Sequence, residues 1–207
     1  MAPAAPIRRS ELPATCWLIA AVAMASFACM RAEAAPKNDP ALPQIGPAPQ
    51  FALTDQDGRR FALAHQRGKV AVVTFIFTGC ADSCPILTAK LVGVQRTLAQ
   101  KKQEVFFIAI TVDPLNDTPA QLRKYAMAQS ANLDNFAFLT GSFEQVEDVA
   151  RRYGVFRKTQ KTGNIDHTFL TSLVDRHGIV RVQYIGSRFD PVEFETDLRS
   201  LLAEKAK

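Results

Sequence analysis

One stretch constrains the fold more than any other: an almost wholly apolar run at residues 70–77, followed closely by Cys80 and Cys84. The run predicts a buried strand. Pro85 suits the first turn of a helix, and the leucine and valine residues at 87, 91, 94 and 98 predict its apolar face. Both thiols therefore lie where a strand ends and a helix begins. Unpaired backbone N–H groups and the helix dipole at such a junction favour the thiolate, which binds metals and attacks disulfides.

The first thirty-odd residues differ in composition from the rest of the chain. Arg8 and Arg9 precede an alanine-rich apolar stretch at 12–30, and Ala32-Glu33-Ala34 follows it. A charged start, an apolar centre and a small-x-small site are typical of an export signal. The sequence predicts an export signal or an uncleaved membrane anchor at residues 1–34, with the remaining chain, enough for one domain, outside the cytoplasm.

The cysteine count becomes simple once that segment is set aside. Cys16 and Cys29 belong to it, so only Cys80 and Cys84 remain for the domain. A structural disulfide is the usual role of such a pair in an exported protein. A bridge across three intervening residues closes a very small loop and stabilises little, so the pair favours reversible redox chemistry or metal binding.

The charge pattern argues against nucleic acid as a partner. The formal net charge is only +5 and the charged residues are scattered. The densest cluster, Arg157-Lys158-Thr-Gln-Lys161, is interpreted as the solvated tip of a hairpin. A modest positive face leaves an acidic docking partner open as a hypothesis.

The order of elements predicts the fold class. Prolines at 36, 40, 43, 47 and 49 predict an extended tether over residues 35–50, and the domain is expected at 51–205. A hairpin turning at Asp57-Gly58 opens the domain. The strand–helix–strand unit from 70 to 112 predicts parallel strands joined by a right-handed crossover. Further helices are predicted at 119–129, 142–153 and 191–203, and strands at 136–139, 168–174 and 179–184. Together these elements predict an α/β thioredoxin-like fold: a central mixed β-sheet flanked by helices, with an N-terminal hairpin.

One of three histidines is a candidate partner for the thiols. His65 and His177 lie in polar turns and are expected to face solvent. His167 instead lies at the start of the strand predicted at 168–174, where the preceding loop brings it over the cysteine helix. Position alone leaves a structural role equally open.

The spacing of the cysteines bears on the choice of metal. Three residues separate them, whereas thioredoxin-like redox motifs have two, and the wider spacing suits two sulfurs that face one ion. Two thiolates and one imidazole match Cu(I) and also suit Cu(II). Zinc remains open on ligand count, with Asp82 as an available fourth ligand. Asp166 is a candidate for orienting His167 from outside the ligand set.

The chain resembles the Sco/SenC copper proteins, thioredoxin-like domains tethered to the periplasmic face of bacterial inner membranes or to the mitochondrial inner membrane. The resemblance covers about residues 45–205. The motifs that carry it are Cys80-Ala-Asp-Ser-Cys84-Pro85, Val112-Asp113-Pro114-Leu115-Asn116-Asp117-Thr118-Pro119, Leu139-Thr140-Gly141 and Asp166-His167-Thr168. Two positions depart from the family pattern: Ala81 stands where proline is usual, and Ser83 replaces an apolar residue. These departures concern affinity and redox potential more than the identity of the ligands.

The resemblance implies a copper metallochaperone for the dinuclear copper centre of cytochrome c oxidase, with Cys80, Cys84 and His167 as ligands of Cu(I) or Cu(II). Its implied partners are the copper-site subunit of the oxidase and, as a further candidate, another copper chaperone. The alternative is a periplasmic thiol–disulfide reductase that keeps the partner's cysteines reduced. In that role Cys80 attacks, Cys84 resolves and a thioredoxin-like reductant regenerates the pair. A peroxidase of the peroxiredoxin type also remains open, because Thr78 is available beside the nucleophile.

Overall fold

The two long apolar runs of the sequence form the centre of a mixed sheet. In a computed structural model, which describes residues 41–159 and 165–204, they are the parallel strands β4 (Val70–Ile76) and β5 (Val105–Thr111). Every residue of β4 is buried because helices cover both faces of the sheet, which explains the nearly continuous apolar sequence. The described residues belong to one compact unit that begins at Ala41.

The other strands extend this centre on both sides. The sheet order is β1-β10-β9-β4-β5-β6-β2-β3, in which β4, β5 and β6 run parallel and the remaining pairs are antiparallel. A separate ribbon pairs β7 with β8. The strand bounds are β1 Gly46–Pro47, β2 Ala52–Asp55, β3 Arg60–Ala62, β6 Phe136–Thr140, β7 Arg157–Thr159, β8 Ile165–His167, β9 Leu170–Val174 and β10 Ile179–Ile185. The mixed sheet with an N-terminal hairpin, β2–β3, confirms the predicted fold class.

Helices cover the two faces of the sheet unequally. They are α1 (Ser83–Thr97), α2 (Pro119–Ala128), α3 (Phe143–Tyr153) and α4 (Pro191–Ala203). Buried residues of α1, α2 and α4 share one apolar cluster with one face of the sheet, and those of α3 share the cluster on the other face. Most helix starts were predictable because the capping residues are close in sequence. The side chains of Thr118, Ser142 and Asp190 each accept a hydrogen bond from a backbone N–H of the helix that follows.

The structure differs from the sequence interpretation in three places. Part of the predicted tether is folded, since β1 pairs with β10 and Ala48 is only 3% exposed. The expected single strand at 168–174 is preceded by a separate strand, β8, that carries His167. Arg157 does not lie at a solvated tip, because it belongs to β7 and its side chain is only 11% exposed.

The predicted export signal or anchor at 1–34 lies outside the described residues, as do residues 160–164. Within the described ranges no helix is both long enough and apolar enough to cross a bilayer.

Candidate functional site

The two cysteines lie at the junction between β4 and α1, as the sequence predicts. A turn in which the Cys80 N–H donates to the Phe77 carbonyl (3.3 Å) leads from the strand into the helix. The Cys84 N–H then donates to Cys80 Sγ at 3.4 Å, so the first turn of the helix points a backbone donor at that sulfur. Both thiols are free. Cys80 is partly exposed whereas Cys84 is completely buried, and the pair therefore has one accessible sulfur.

Burial favours the protonated thiol of Cys84, not the thiolate that its position at the junction predicts. Removal from water raises the pKa of the Cys84 thiol far above its usual value, and the nearby Cys80 and Asp117 add to the effect. The prediction that the junction favours a thiolate is therefore wrong for Cys84 in the metal-free protein. A bound cation would reverse this balance by replacing the proton on sulfur.

His167 reaches Cys84 from the ribbon β7–β8. Its Nε2 lies 3.9 Å from Cys84 Sγ, and its Nδ1 lies 3.1 Å from the Thr168 carbonyl. A carbonyl only accepts hydrogen bonds, so Nδ1 carries the proton and the lone pair of Nε2 is left for the sulfur side. Burial lowers the pKa of the imidazole, which favours the neutral form.

Two aromatic rings confine the imidazole. The ring of Phe77 meets it edge-on with centroids 5.7 Å apart, and the ring of Phe169 lies at 4.3 Å. Phe77 belongs to the cysteine loop and Phe169 follows the ribbon, so His167 is enclosed from both sides of the site. This enclosure explains its burial and limits its rotation.

The geometry is compatible with one ion held between Cys84 and His167. An ion bonded at about 2.3 Å to sulfur and about 2.0 Å to nitrogen separates these atoms by about 3.7 Å when the bond angle is about 120°. The observed separation of 3.9 Å is close to that value. In the described part of the chain, no group of three or more Cys, His, Asp or Glu side chains converges on one point. Cys80 would therefore have to adjust its side chain to join the other two.

The two carboxylates singled out in the sequence are both exposed. Asp82 precedes α1 at the cap position, but its side chain forms no capping hydrogen bond. Asp166 neighbours His167 on β8, and its negative charge opposes the effect of burial on the imidazole by raising its pKa. The two other histidines, His65 and His177, are exposed as predicted.

Asp117 is a site residue that sequence reasoning did not identify. It is completely buried, and its oxygens accept the N–H of Thr78 (3.1 Å), the Thr78 hydroxyl (2.5 Å) and the Thr111 hydroxyl (2.5 Å). It therefore joins the cysteine loop to the end of β5. The motif around Asp113-Pro114 was the available signal, but nothing local indicates burial. Because the Thr78 hydroxyl donates to Asp117, its proton is not available to a peroxide bound at Cys80.

Comparison with known proteins places the fold and motifs in a family. The SCO1/SenC family model matches residues 42–203. This chain belongs to the SCO1/SenC family. It is 33% identical to a SCO1 protein homolog of Bacillus subtilis, over 69% of this chain and 76% of the relative. It is 34% identical to a SCO2-like protein of Rickettsia prowazekii, over 62% and 64%.

Solved structures of the family have the same fold. BsSco, described as a cytochrome c oxidase assembly protein with a disulfide switch, superposes with a TM-score of 0.69 at 30% identity, covering 78% of this chain and 97% of that one. Bradyrhizobium japonicum ScoI with copper bound gives a TM-score of 0.65 at 30% identity, covering 74% and 98%.

Proposed function

We propose that this member of the SCO1/SenC family binds one copper ion, Cu(I) or Cu(II), through Cys80, Cys84 and His167. The observation that carries the proposal is the approach of His167 Nε2 to within 3.9 Å of Cys84 Sγ. The bond from Nδ1 to the Thr168 carbonyl leaves the Nε2 lone pair for the metal. Two sulfurs and one imidazole are donors that copper prefers, and the copper-bound ScoI relative has the same fold.

The copper is cargo in this proposal. Its destination is the dinuclear copper centre of cytochrome c oxidase, since the family includes oxidase assembly proteins. Binding replaces the Cys84 proton, so uptake releases that proton to solvent. Cys80 is the more exposed of the two sulfurs, so a partner's ligand is expected to meet the ion at Cys80 first. Transfer then proceeds by exchange of thiolate ligands, with no change in the copper oxidation state.

Asp166 and Asp82 have a supporting role in this proposal. Asp166 places a negative charge beside the imidazole and makes Nε2 a stronger donor. Asp82, exposed at the start of α1, adds negative charge between the two cysteines in the sequence. The protein is proposed to act in the bacterial periplasm, released from its export signal or held at the inner membrane. Its proposed partners are the oxidase copper-site subunit and a second copper chaperone.

The unequal exposure of the cysteines favours thiol–disulfide reduction as a second candidate function. The Cys80 thiolate attacks a disulfide of the oxidase subunit and releases one partner thiolate. Cys84 then gives its thiol proton to the first released partner thiolate and attacks Cys80 Sγ in the mixed disulfide, which releases the second partner thiolate and leaves a Cys80–Cys84 disulfide. Two electrons pass to the partner, and a thioredoxin-like reductant returns them to this protein. The exposed Cys80 and buried Cys84 fit the attacking and resolving positions.

Copper content and the visible spectrum of the reduced protein test the proposal, with oxygen excluded when Cu(I) is added. The wild type should hold one tightly bound copper, and C80S, C84S and H167A should each lose tight binding, with H167A keeping only weak binding through its two thiolates. H177A is the matched control, because His177 is exposed and should not affect binding. Weak binding by the wild type, or full affinity in H167A, would reject the three-ligand site. Dithiol exchange retained in every His167 variant would then favour the reductase.

A further inference from the structure

The strand that carries His167 is not part of the main sheet. β7 and β8 pair only with each other among the described strands, and a two-stranded ribbon is marginally stable in water by itself. In this ribbon Arg157 lies directly opposite His167. Because the two residues are paired across the ribbon, contacts that fasten Arg157 to the domain also help to fix the backbone at His167.

Arg157 connects the ribbon to helix α3. Its guanidinium carbon lies 4.8 Å from the centre of the Phe143 ring, in a cation–π contact. One of its terminal nitrogens lies 3.9 Å from a carboxylate oxygen of Glu147, one turn further along the helix. The side chain is only 11% exposed, so water screens these contacts less than it would on the open surface.

The helix that receives Arg157 is firmly held. Phe143 is its first residue, and the preceding Ser142 forms a capping box with Gln145. Val146 and Val149 are buried in the apolar cluster on that face of the sheet. Ile165 of β8 is buried in the same cluster, and Arg157 adds a second link between the ribbon and this helix, on the strand opposite His167.

We infer that Arg157 is a positioning residue for the copper site: it holds His167 over Cys84 by fastening the ribbon β7–β8 to α3. This inference rests on the proposed copper-binding function. Arg157 does not touch the ion, and its effect passes through the imidazole alone. Its planar guanidinium stacks on Phe143, which a lysine ammonium does not reproduce. Arg157 thus affects how tightly His167 binds copper without changing the two cysteine ligands.

A double-mutant cycle with His167 tests this role. Copper dissociation constants are measured by competition with a chromophoric chelator for wild type, R157A, H167A and the R157A/H167A double variant. R157A should weaken binding about tenfold, in the range expected for a residue that supports a metal ligand. The same change in the H167A background should have no further effect. The Cu(II) absorption and EPR spectra of R157A should move towards those of H167A.

Three further variants separate positioning from general stability. F143L removes the ring that Arg157 stacks on and should weaken copper binding in the same direction, which provides a readout if R157A does not fold. R157K should be intermediate. R152A is the matched control, because Arg152 is an arginine of α3 that pairs with Asp148 away from the ribbon, and it should leave copper binding unchanged.

Two results would overturn the inference. Equal weakening by R157A with and without His167 would mean that it acts through general stability. Unchanged binding in R157A, together with weakening in H167A, would reject positioning while the copper-carrier proposal stands. Unchanged binding in H167A would instead reject the three-ligand site itself, and with it any role of Arg157 in holding a ligand.

Discussion

The two halves of the site are built in different ways. Cys80 and Cys84 lie on the junction between a central strand and a long helix, and the buried carboxylate of Asp117 ties their loop to the next strand. His167 lies on a short ribbon outside the main sheet, held by side-chain contacts and a few hydrogen bonds. The cysteine half belongs to the main sheet and its helix, whereas the histidine half lies beside the sheet and contributes Ile165 to an apolar cluster.

This contrast suits a protein that binds an ion and then gives it up. Displacing a core junction requires much of the domain to unfold, whereas a ribbon can open locally at a lower free-energy cost. We expect the thiolates to retain the ion while the imidazole leaves and returns. The following experiments test the contrast by disturbing each half separately.

The largest effect is expected from D117N, which disturbs the cysteine half. Asparagine has one acceptor oxygen where aspartate has two. Its NH₂ group would face the Thr78 and Thr111 donors, which need an acceptor. We expect the metal-free protein to lose about 3 kcal/mol of unfolding free energy in urea, because buried donors are left without partners. D134N is the matched control. Asp134 is 64% exposed and pairs with Lys102 on the surface, so its loss should stay within about 0.5 kcal/mol. Equal losses in both variants would contradict a firmly anchored cysteine half.

Hydrogen exchange compares the two halves in one experiment. The Thr168 N–H donates to the Phe156 carbonyl at the ribbon, and the Val112 N–H donates to the Ile76 carbonyl in the central sheet. We expect the Thr168 amide to exchange at least about a hundredfold faster in the metal-free protein, because the ribbon opens without global unfolding. Copper should slow the Thr168 amide by about tenfold more than the Val112 amide. Equal slowing of both amides would show that the halves move as one unit.

F169L is aimed at the histidine half, although Phe169 also packs against the apolar cluster that contains Cys84. The Phe169 ring lies 4.3 Å from the imidazole, and leucine keeps much of the apolar volume while removing the ring face. We expect the free energy of unfolding to fall by about 1 kcal/mol, which is typical of an aromatic contact. Copper binding should weaken about threefold, which is about half of the tenfold step on a logarithmic scale that about 1.4 kcal/mol produces. Thiol reactivity of Cys80 towards a disulfide reagent should not change. A changed Cys80 rate would mean that the ring also supports the cysteine loop.

The smallest effect is expected from E104Q, away from both halves. Glu104 accepts hydrogen bonds from Arg176 (2.6 Å) and Lys101 (3.1 Å). Both contacts lower the pKa of its carboxyl group, and the Arg176 contact has the larger effect. This stabilisation is present above the usual pKa of 4.5 and is lost as the pH falls through the lowered value. We expect E104Q to cost about 0.5 kcal/mol at neutral pH, because the side chain is 39% exposed and screened by water.

Two readouts check that prediction. The unfolding free energies of E104Q and wild type should converge as the pH falls below 4.5. Copper affinity should be equal in both proteins at neutral pH. Weaker copper binding by E104Q would show that the region around Glu104, before β5, is coupled to the copper site after β4.

Local signals predicted much of the fold and part of the site. The strand–helix junction, the helix starts at Pro119 and Pro191, and the turn at Gly58 follow from neighbouring residues. β1 was missed because its two residues, Gly46 and Pro47, have no strand pattern and gain their structure only by pairing with β10. A proline-rich segment that packs against the sheet has the same composition as one that does not.

The sequence was sufficient for the elements and for the kinds of side chain available at the site, because strand periodicity, helix caps and cysteine spacing involve residues close together in the chain. Only the tertiary structure decided that Cys84 is buried, that Asp117 supports its loop, and that His167 meets Cys84 from a separate ribbon fastened by Arg157. Each of these depends on burial or on contacts between residues far apart in the chain. Desolvation and long-range packing arise when the chain is folded, so they leave no local pattern.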